Sequence, residues 1–221
     1  MDIFTVAGID LKQGPDWSSE VAMQKEHSGY VCGVDEVGRG PLAGPVVAAA
    51  VILDAANIPE GLNDSKKLSE KKRELLFDSI YQKAVAVAVA EATVEEIDEI
   101  NILQASLLAM RRAVQGLEIT PSTALVDGNK DPNLGMPTNT LVKGDGRSLS
   151  IAAASIIAKV FRDRMMKKLA ERYPDYGWER NAGYGVPKHM AALKLVGVTP
   201  FHRKSFAPIR AIIEQKNSSN H

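Results

Sequence analysis

Five stretches of the chain carry strand-like patterning, and several stop abruptly at acidic residues. Residues 30–35 begin with the run Tyr30-Val31-Cys32-Gly33-Val34 and end at the pair Asp35-Glu36. Residues 46–53 are continuously apolar, which suits a buried strand or a short helix. Pro41 and Pro45 bracket the link between these two stretches and make a hairpin-like return plausible. Residues 84–92 alternate Val and Ala with period two, the repeat of a strand. Ala124-Leu125-Val126 stops at Asp127-Gly128-Asn129, and Thr140-Leu141-Val142 stops at Lys143-Gly144-Asp145.

Helical spacing fills the intervals. Ser69 can cap a helix running to about Lys83, with Leu76 and Ile80 on one face. Thr93-Val94-Glu95-Glu96 has the spacing of a capping box for a short helix. Asn101 can cap the next one, where Leu103, Leu107, Met110 and Val114 form an apolar core stripe that ends at Gly116. A long helix is predicted from about Leu149 to Arg172, Ala-rich in its first half. Its second half carries Lys159, Arg162, Arg164, Lys167 and Lys168. The tail from Tyr173 mixes Gly, Pro and aromatic residues around shorter helical pieces, and residues 1–28 read as a loosely held arm. The order of three strands with helices, then two strands with helices, predicts a mixed α/β sheet with helices on both faces.

Composition narrows the class. A chain of 221 residues, 45% apolar, fits one ordinary domain with at most a small appendage. The single cysteine, Cys32, lies in an apolar run and reads as a buried small hydrophobe; an intrachain disulfide is excluded, which fits a reducing compartment. The first 28 residues lack a basic start followed by an apolar core, and no run approaches the ~20 apolar residues of a membrane span. The expectation is a soluble, cytoplasmic protein with no membrane partner.

Net charge is zero, yet its distribution is uneven. Residues 143–221 hold 15 Lys+Arg against 6 Asp+Glu (net +9), and residues 1–142 hold 12 against 21 (net −9). Such segregation is a footprint of a polyanionic partner or, equally, a solvated basic helix face.

The candidate chemistry lies where the strands end. Like charges a few ångströms apart resist joint ionisation, so Asp35 and Glu36 call for a neighbouring cation. Gly38 and Gly40 lack a Cβ and let backbone approach a ligand, with Arg39 between them. In open α/β sheets, sites form beyond strand ends. If the strands carrying Asp35 and Asp127 are neighbours, their carboxylates converge, with Asp145 nearby. Four carboxylates without histidines favour hard ions such as Mg²⁺ or Mn²⁺. Two such ions ~4 Å apart can hold the attacking and leaving oxygens of a phosphodiester in line.

The stretch Gly33-Val-Asp-Glu-Val-Gly-Arg-Gly-Pro-Leu-Ala-Gly-Pro45 closely resembles the signature of ribonuclease HII, the type 2 ribonuclease H. Further matches come in order: Leu62 to Ser69, Val126-Asp-Gly-Asn129, Val142-Lys-Gly-Asp145, Ser150 to Val160, Gly183-Tyr-Gly185 and His202 to Phe206. The resemblance spans about residues 30–210. It implies a ribonuclease H-like mixed five-stranded sheet flanked by helices, with a C-terminal helical extension. The corresponding division is an arm at 1–28, a catalytic domain at 29–172 and a substrate-binding extension at 173–221. It implies Mn²⁺- or Mg²⁺-dependent endonucleolysis of RNA in RNA/DNA hybrids, with two ions in the substrate complex. It also implies nicking on the 5′ side of single ribonucleotides embedded in duplex DNA, in ribonucleotide removal during replication and repair, by a monomer.

The family's acidic residues fall on Asp35, Glu36, Asp127 and Asp145. Its glycine-arginine-glycine turn, which reads the ribose 2′-hydroxyl, falls on Gly38, Arg39 and Gly40. Its sugar-stacking tyrosine falls on Tyr184. The 2′-hydroxyl is both donor and acceptor, and backbone around glycines can meet both capacities. Lys66 and Lys67, in a turn before the Ser69-capped helix, are candidate phosphate contacts, and the basic helix at 159–168 is a candidate support for the duplex backbone. His189 and His202 lie outside the acidic motifs and read as structural. Val186 departs from the family's usual threonine, which removes a hydroxyl contact.

Three other readings compete. Ribonuclease HIII has a different residue between the two glycines and a folded N-terminal domain; Arg39 and an arm of about 28 residues speak against it. A glycosidase also uses paired carboxylates, but would leave the Gly-Arg-Gly turn and basic C-terminal half unexplained. A non-catalytic nucleic-acid-binding module would not need four acids, which repel phosphates.

Overall fold

The computed structural model describes residues 14–218 and, ahead of them, two short paired strands, β1 (Thr5–Val6) and β2 (Ile9–Asp10). The remaining residues of the expected arm at 1–28, and 219–221 at the other end, lie outside the described residues. The centre is a five-stranded sheet ordered β5-β4-β3-β6-β7, formed by β3 (Val31–Val37), β4 (Val46–Ile52), β5 (Ala86–Ala92), β6 (Thr123–Asp127) and β7 (Thr138–Leu141). The first three strands form an antiparallel meander. β6 and β7 join parallel to β3. This is the mixed sheet that the patterning predicts. The continuously apolar stretch at 46–53 is a strand rather than a helix, and it is buried throughout because helices cover both sheet faces.

One face packs against α3 (Val94–Gln115), whose most buried positions include Ala105, Ala109 and Ala113. The predicted stripe is shifted: Met110 and Val114 are buried, while Leu107 packs at the margin. Small residues lie deepest because facing strand positions, Val46, Ala48 and Ala50, leave room for close approach of the helix backbone. α3 contains both predicted caps. Thr93 and Glu96 form a reciprocal capping box, and Asn101 breaks the helix at φ 68 while its side chain accepts from the N–H groups of Leu103 and Gln104.

The other face carries α2 (Glu70–Lys83, capped by Ser69) and α4 (Leu149–Arg172). Gly33 lets α4 lie directly on β3, since a Cβ there would come closer than 3.0 Å to the Ser150 backbone. α1 (Ser18–Glu26), within the expected arm, packs Met23 against Val31, Leu125, Leu141 and Ile151. Its Glu20 is fully buried, and Oε1 accepts from Ser148 Oγ (2.6 Å) and Ser150 N–H (2.8 Å) at the start of α4. A carboxylate at a helix N-terminus faces the positive end of the helix dipole.

The chain beyond Tyr173 forms α5 (Trp178–Asn181), α6 (Pro187–Leu195) and α7 (Ala207–Ser218). These surround a cluster of their own that includes Tyr176, Trp178, Leu193, Ile209 and Ile212, docked on Leu42, Ala43 and Met166.

Candidate active site

Strand alternation and register bring the acids together. Asp35 shares a sheet face with Val31 and Gly33, and Asp127 shares that face with Leu125. β3 and β6 pair in parallel with Val34 opposite Val126, so Asp35 and Asp127 leave adjacent strand ends on the same side. Glu36 follows Asp35 and leaves from the opposite side of the strand end. Asp145 stands on a 3-10 turn, Gly144–Gly146, after β7 and just before the Ser148 cap of α4. Asp127 Oδ1 accepts the Gly144 N–H at 2.6 Å and ties the two acidic loops together. Gly144 is required at that approach, because a Cβ would lie 3.3 Å from Asp127 Oδ1 and 2.6 Å from the Ile151 side chain.

The electrostatics report the same clustering. Burial pushes the Asp35 carboxyl well above the usual carboxylate range, and the charges on Glu36, Asp127 and Asp145 push it further. Burial also raises Glu36, against the pull of Arg39, which donates to Glu36 Oε1 at 3.2 Å. Asp145 is raised to about 6 by burial and by Asp64 and Asp127. Asp64 is an acid that the motif reading passed over: its own strand-end signal is absent, because it caps the short turn Ser65–Lys67 by accepting from Lys66 N–H.

A cleft of about 340 Å³ opens here, lined by Asp35, Glu36, Asp127, Lys66 and Tyr184 among others, with Gly38, Arg39 and Gly40 along one wall. Lys66 reaches it; Lys67 is exposed but is not part of its lining. Tyr184 is 47% exposed, so it is not a core tyrosine, and its ring lies over Gly40: a Cβ on Gly40 would sit 3.2 Å from Tyr184 Cε1.

Two buried arginines shape this wall, and the motif reading placed neither there. Arg162 donates from Nε to the Pro45 carbonyl (2.9 Å), from Nη1 to Ala182 (2.9 Å) and from Nη2 to Ala43 (3.0 Å). Arg203 donates to the carbonyls of Arg39 (2.9 Å), Gly38 (2.5 Å) and Gly44 (2.8 Å). Burial lowers Arg162 to about 10 and Arg203 to about 9, so both stay cationic at neutral pH. Of the basic residues at 159–168, Lys159 lines the cleft, while several of the others are committed to partners within the chain. Arg162 is 1% exposed and faces inward, while Lys159 pairs with Asp163, Arg164 with Glu74 and Lys167 with Glu70. Sequence composition counts charges but does not show which neighbours neutralise them.

His189 and His202 are fully buried in the C-terminal cluster, away from the cleft lining. Cys32 is buried in the core, and burial pushes its thiol up to about 12.

The donor set suits a hard divalent cation, since it consists of carboxylate oxygens whose crowding a positive charge relieves. Among the described residues, no group of three or more His, Cys, Asp or Glu side chains stands ready as a metal site. The carboxylates are turned to other partners: Asp35 Oδ1 takes the Glu36 N–H (2.7 Å), Glu36 takes Arg39, Asp127 takes Gly144, and Asp145 faces Asp64.

Comparison with known proteins decides the family. The family model for ribonuclease HII matches residues 32–209. The chain belongs to the ribonuclease HII family. A ribonuclease HII of Shewanella pealeana is 62% identical over 182 residues, 82% of this chain and 90% of the relative. The ribonuclease H2 of Pyrococcus horikoshii OT3 superposes with a TM-score of 0.73 at 31% identity, covering 85% of this chain and 99% of that one. The fold extends to the sister type: Bst-RNase HIII, solved in complex with Mn²⁺, has a TM-score of 0.67 at 20% identity, covering 91% of this chain and 74% of that one. Membership makes this protein a ribonuclease H hydrolase, an endoribonuclease acting on RNA/DNA hybrids, in a family that depends on divalent metal. No helix among the described residues is long and apolar enough to cross a membrane.

Proposed function

We propose that the protein cuts RNA/DNA hybrids and also nicks duplex DNA on the 5′ side of a single embedded ribonucleotide, in ribonucleotide removal during replication and repair. The observation that carries this reading is the apposition of three features around one cleft: the carboxylates of Asp35, Glu36 and Asp127, the Gly38-Arg39-Gly40 turn and the ring of Tyr184; Asp145 lies outside the cleft lining, close enough for its charge to raise Asp35. Asp35, Glu36, Asp127 and Asp145 would hold the metal, Mg²⁺ or Mn²⁺ in two positions. When bound, divalent cations there supply positive charge that orients and stabilises the oxygens of a phosphodiester under in-line attack, leaving 3′-hydroxyl and 5′-phosphate ends.

The chain's own residues select which phosphodiester lies there. The bare backbone of Gly38 and Gly40 meets a 2′-hydroxyl at close range, which a deoxyribose lacks. Arg39, half-exposed at the rim, carries charge for the backbone phosphates. Tyr184 offers a flat face against the sugar following the ribonucleotide, so that an RNA-to-DNA junction docks against ring and turn together. Lys66 reaches the phosphate path inside the cleft, and Lys67 reaches it outside. No imidazole among the described residues lines the cleft, and the residues that do line it would bind and orient the substrate.

The division of the chain obeys the same logic. Residues 29–172 carry the acids and the turn, and the extension from 173 supplies the platform. The reading takes the protein to act as a monomer in the cytoplasm.

The test is a DNA duplex with one ribonucleotide, incubated with Mg²⁺ or Mn²⁺ beside a long RNA/DNA hybrid. Nicks 5′ of the ribonucleotide and cuts within the hybrid are expected. Hybrid cutting without the single-ribonucleotide nick refutes the junction reading and leaves only the general activity.

A further inference from the structure

Behind Tyr184 the molecule buries a polar cluster that the proposed chemistry does not use. His189 and His202 meet Nε2 to Nε2 at 3.0 Å, and Trp178 Nε1 lies 3.2 Å from His189 Nε2. His189 Nδ1 is 2.9 Å from the Tyr184 carbonyl oxygen, and Thr199 N–H reaches His202 Nδ1 at 2.9 Å. One proton arrangement gives every contact a donor and an acceptor, with the single lone pair of His189 Nε2 shared between two donors and that of His202 Nδ1 shared between Thr199 N–H and Thr199 Oγ1 (2.9 Å). A backbone N–H can only donate, so His202 Nδ1 accepts and its proton sits on Nε2. That N–H and the indole N–H both point at His189 Nε2, which therefore accepts. The His189 proton is then on Nδ1 and goes to the Tyr184 carbonyl. Burial lowers both imidazoles, His202 to about 4, so both are neutral at working pH. The result is a directed chain from Thr199 through His202 and His189 to the backbone of Tyr184.

The residue after His202 reaches the opposite wall of the same cleft. Arg203 holds the carbonyls of Gly38, Arg39 and Gly44. Asp98, on α3, anchors the next two residues by accepting from Lys204 N–H (2.9 Å), Ser205 N–H (2.8 Å) and Ser205 Oγ (2.6 Å). The Tyr184 carbonyl also accepts Val186 N–H at 2.8 Å, and Leu42 N–H donates to Gly183 O at 2.8 Å. The Tyr184 ring occupies the space a Gly40 side chain would need, 3.2 Å from where a Cβ would stand.

We propose that His202 and Arg203 form a positioning pair for substrate selection: Arg203 fixes the turn, and His202, through His189, fixes the backbone of Tyr184, so that ring and turn stay in register. The pair rests on the reading of that turn and ring as the ribose and junction recognition elements. Two imidazoles and an indole carry polar atoms whose burial is costly unless each is hydrogen-bonded, and apolar side chains would fill the same space without that cost. What the polar set adds is direction, since it aims a single donor at the Tyr184 carbonyl.

The experiment compares nicking at one embedded ribonucleotide with cutting of a long hybrid, in the full chain. His202→Leu removes the donor to His189, and His202→Gln keeps an amide N–H at similar reach. His202→Leu should lower single-ribonucleotide nicking roughly tenfold more than hybrid cutting, the scale expected when a positioning group shifts by a fraction of an ångström to an ångström. His202→Gln should recover most of that loss. Because the effect runs through Tyr184, the double variant His202→Leu/Tyr184→Ala should lose no more substrate preference than Tyr184→Ala alone. Equal loss on both substrates, or full additivity in the double variant, overturns the proposal. If Tyr184→Ala shows the preference and His202→Leu does not, the pair fails while the platform reading survives. If Tyr184→Ala shows no preference, the platform reading fails and takes the pair with it. In the unaltered protein, imidazole ¹⁵N shifts should give an Nδ1–H tautomer for His189 and Nε2–H for His202; the reversed tautomers overturn the proposal even where a variant does not fold.

Discussion

Replacing Gly38 with Ala should damage this protein more than any other single methyl in the cleft wall. Gly38 has φ +98, and a Cβ there would come within 3.0 Å of Arg162 Nε and Cδ and 2.9 Å from the Pro45 carbonyl. The left-handed backbone alone costs a non-glycine residue about 1–2 kcal/mol. Arg162 cannot swing aside freely, because its three donors are committed to Pro45, Ala182 and Ala43. Displacing it loosens at least one charge-assisted hydrogen bond, worth about 1.5–3 kcal/mol. The sum is about 2.5–5 kcal/mol, and for a chain of this size it lowers the melting temperature by roughly 10 °C. Two controls divide the effect. Gly128 also has positive φ, +101, but a Cβ there meets nothing within 4 Å. Gly128→Ala should therefore cost only the backbone strain, about 1–2 kcal/mol. Gly146 is open on the same criterion, and Gly146→Ala should stay within about 0.5 kcal/mol of the parent. Thermal denaturation of the three variants, monitored by circular dichroism, reads the series. A Gly38→Ala protein that melts no lower than Gly128→Ala would refute the claim that Arg162 pins the turn.

The acids, the ring and the histidines carry further expectations. Asp35→Asn should lower hybrid cutting by about 10³-fold or more, the scale of losing a charged ligand at a catalytic metal. In metal-free buffer at pH 7 the same variant should melt higher than the parent, because it removes one of the repelling buried carboxylates; a lower melting temperature contradicts the crowding argument. Tyr184→Ala should reduce nicking at a single ribonucleotide about tenfold while changing long-hybrid cutting by less than a factor of about 3, an effect of roughly 1.4 kcal/mol confined to the junction. Acid should weaken the fold through His202. Its folded value, about 4, lies below the ordinary 6.5, so the unfolded chain binds a proton that the folded chain refuses. Stability is therefore full above about pH 6.5 and falls as pH drops toward 4, with up to about 2 kcal/mol lost at pH 5. Urea titrations at pH 7 and pH 5 measure it, and His202→Gln should flatten the difference; an unchanged slope with pH in that variant counts against the assignment.

Much of the fold was legible because the relevant signals are local. The strand stretches at 30–35, 46–53 and 84–92 fall on β3, β4 and β5, and the caps at Ser69, Thr93 and Asn101 each hold the predicted hydrogen bonds. The four acids were visible as strand-end residues, and parallel pairing of β3 with β6 supplies the convergence that spacing alone left conditional. What escaped was long-range pairing. Nothing near Glu20 in sequence announces the start of α4, 130 positions away by its contact with Ser150. Arg162 looked like one more cation on a basic helix, and only the fold shows it buried against the carbonyls of Ala43 and Pro45. His189 and His202 were rightly set apart from the acidic motifs, but their direct contact depends on how α6 folds back onto the segment after Thr199.

In the proposed function, one cleft joins a carboxylate-held metal to a turn and ring that recognise an RNA-to-DNA junction. The most direct test is gel analysis of an end-labelled DNA duplex bearing one ribonucleotide, incubated with the protein and Mg²⁺ or Mn²⁺, beside the identical all-DNA duplex and a chelator control. A single nick 5′ of the ribonucleotide, absent from the all-DNA duplex and abolished by chelator, is the predicted result. An intact ribonucleotide-containing strand under both metals, from protein that cuts a long hybrid in the same buffer, would contradict it.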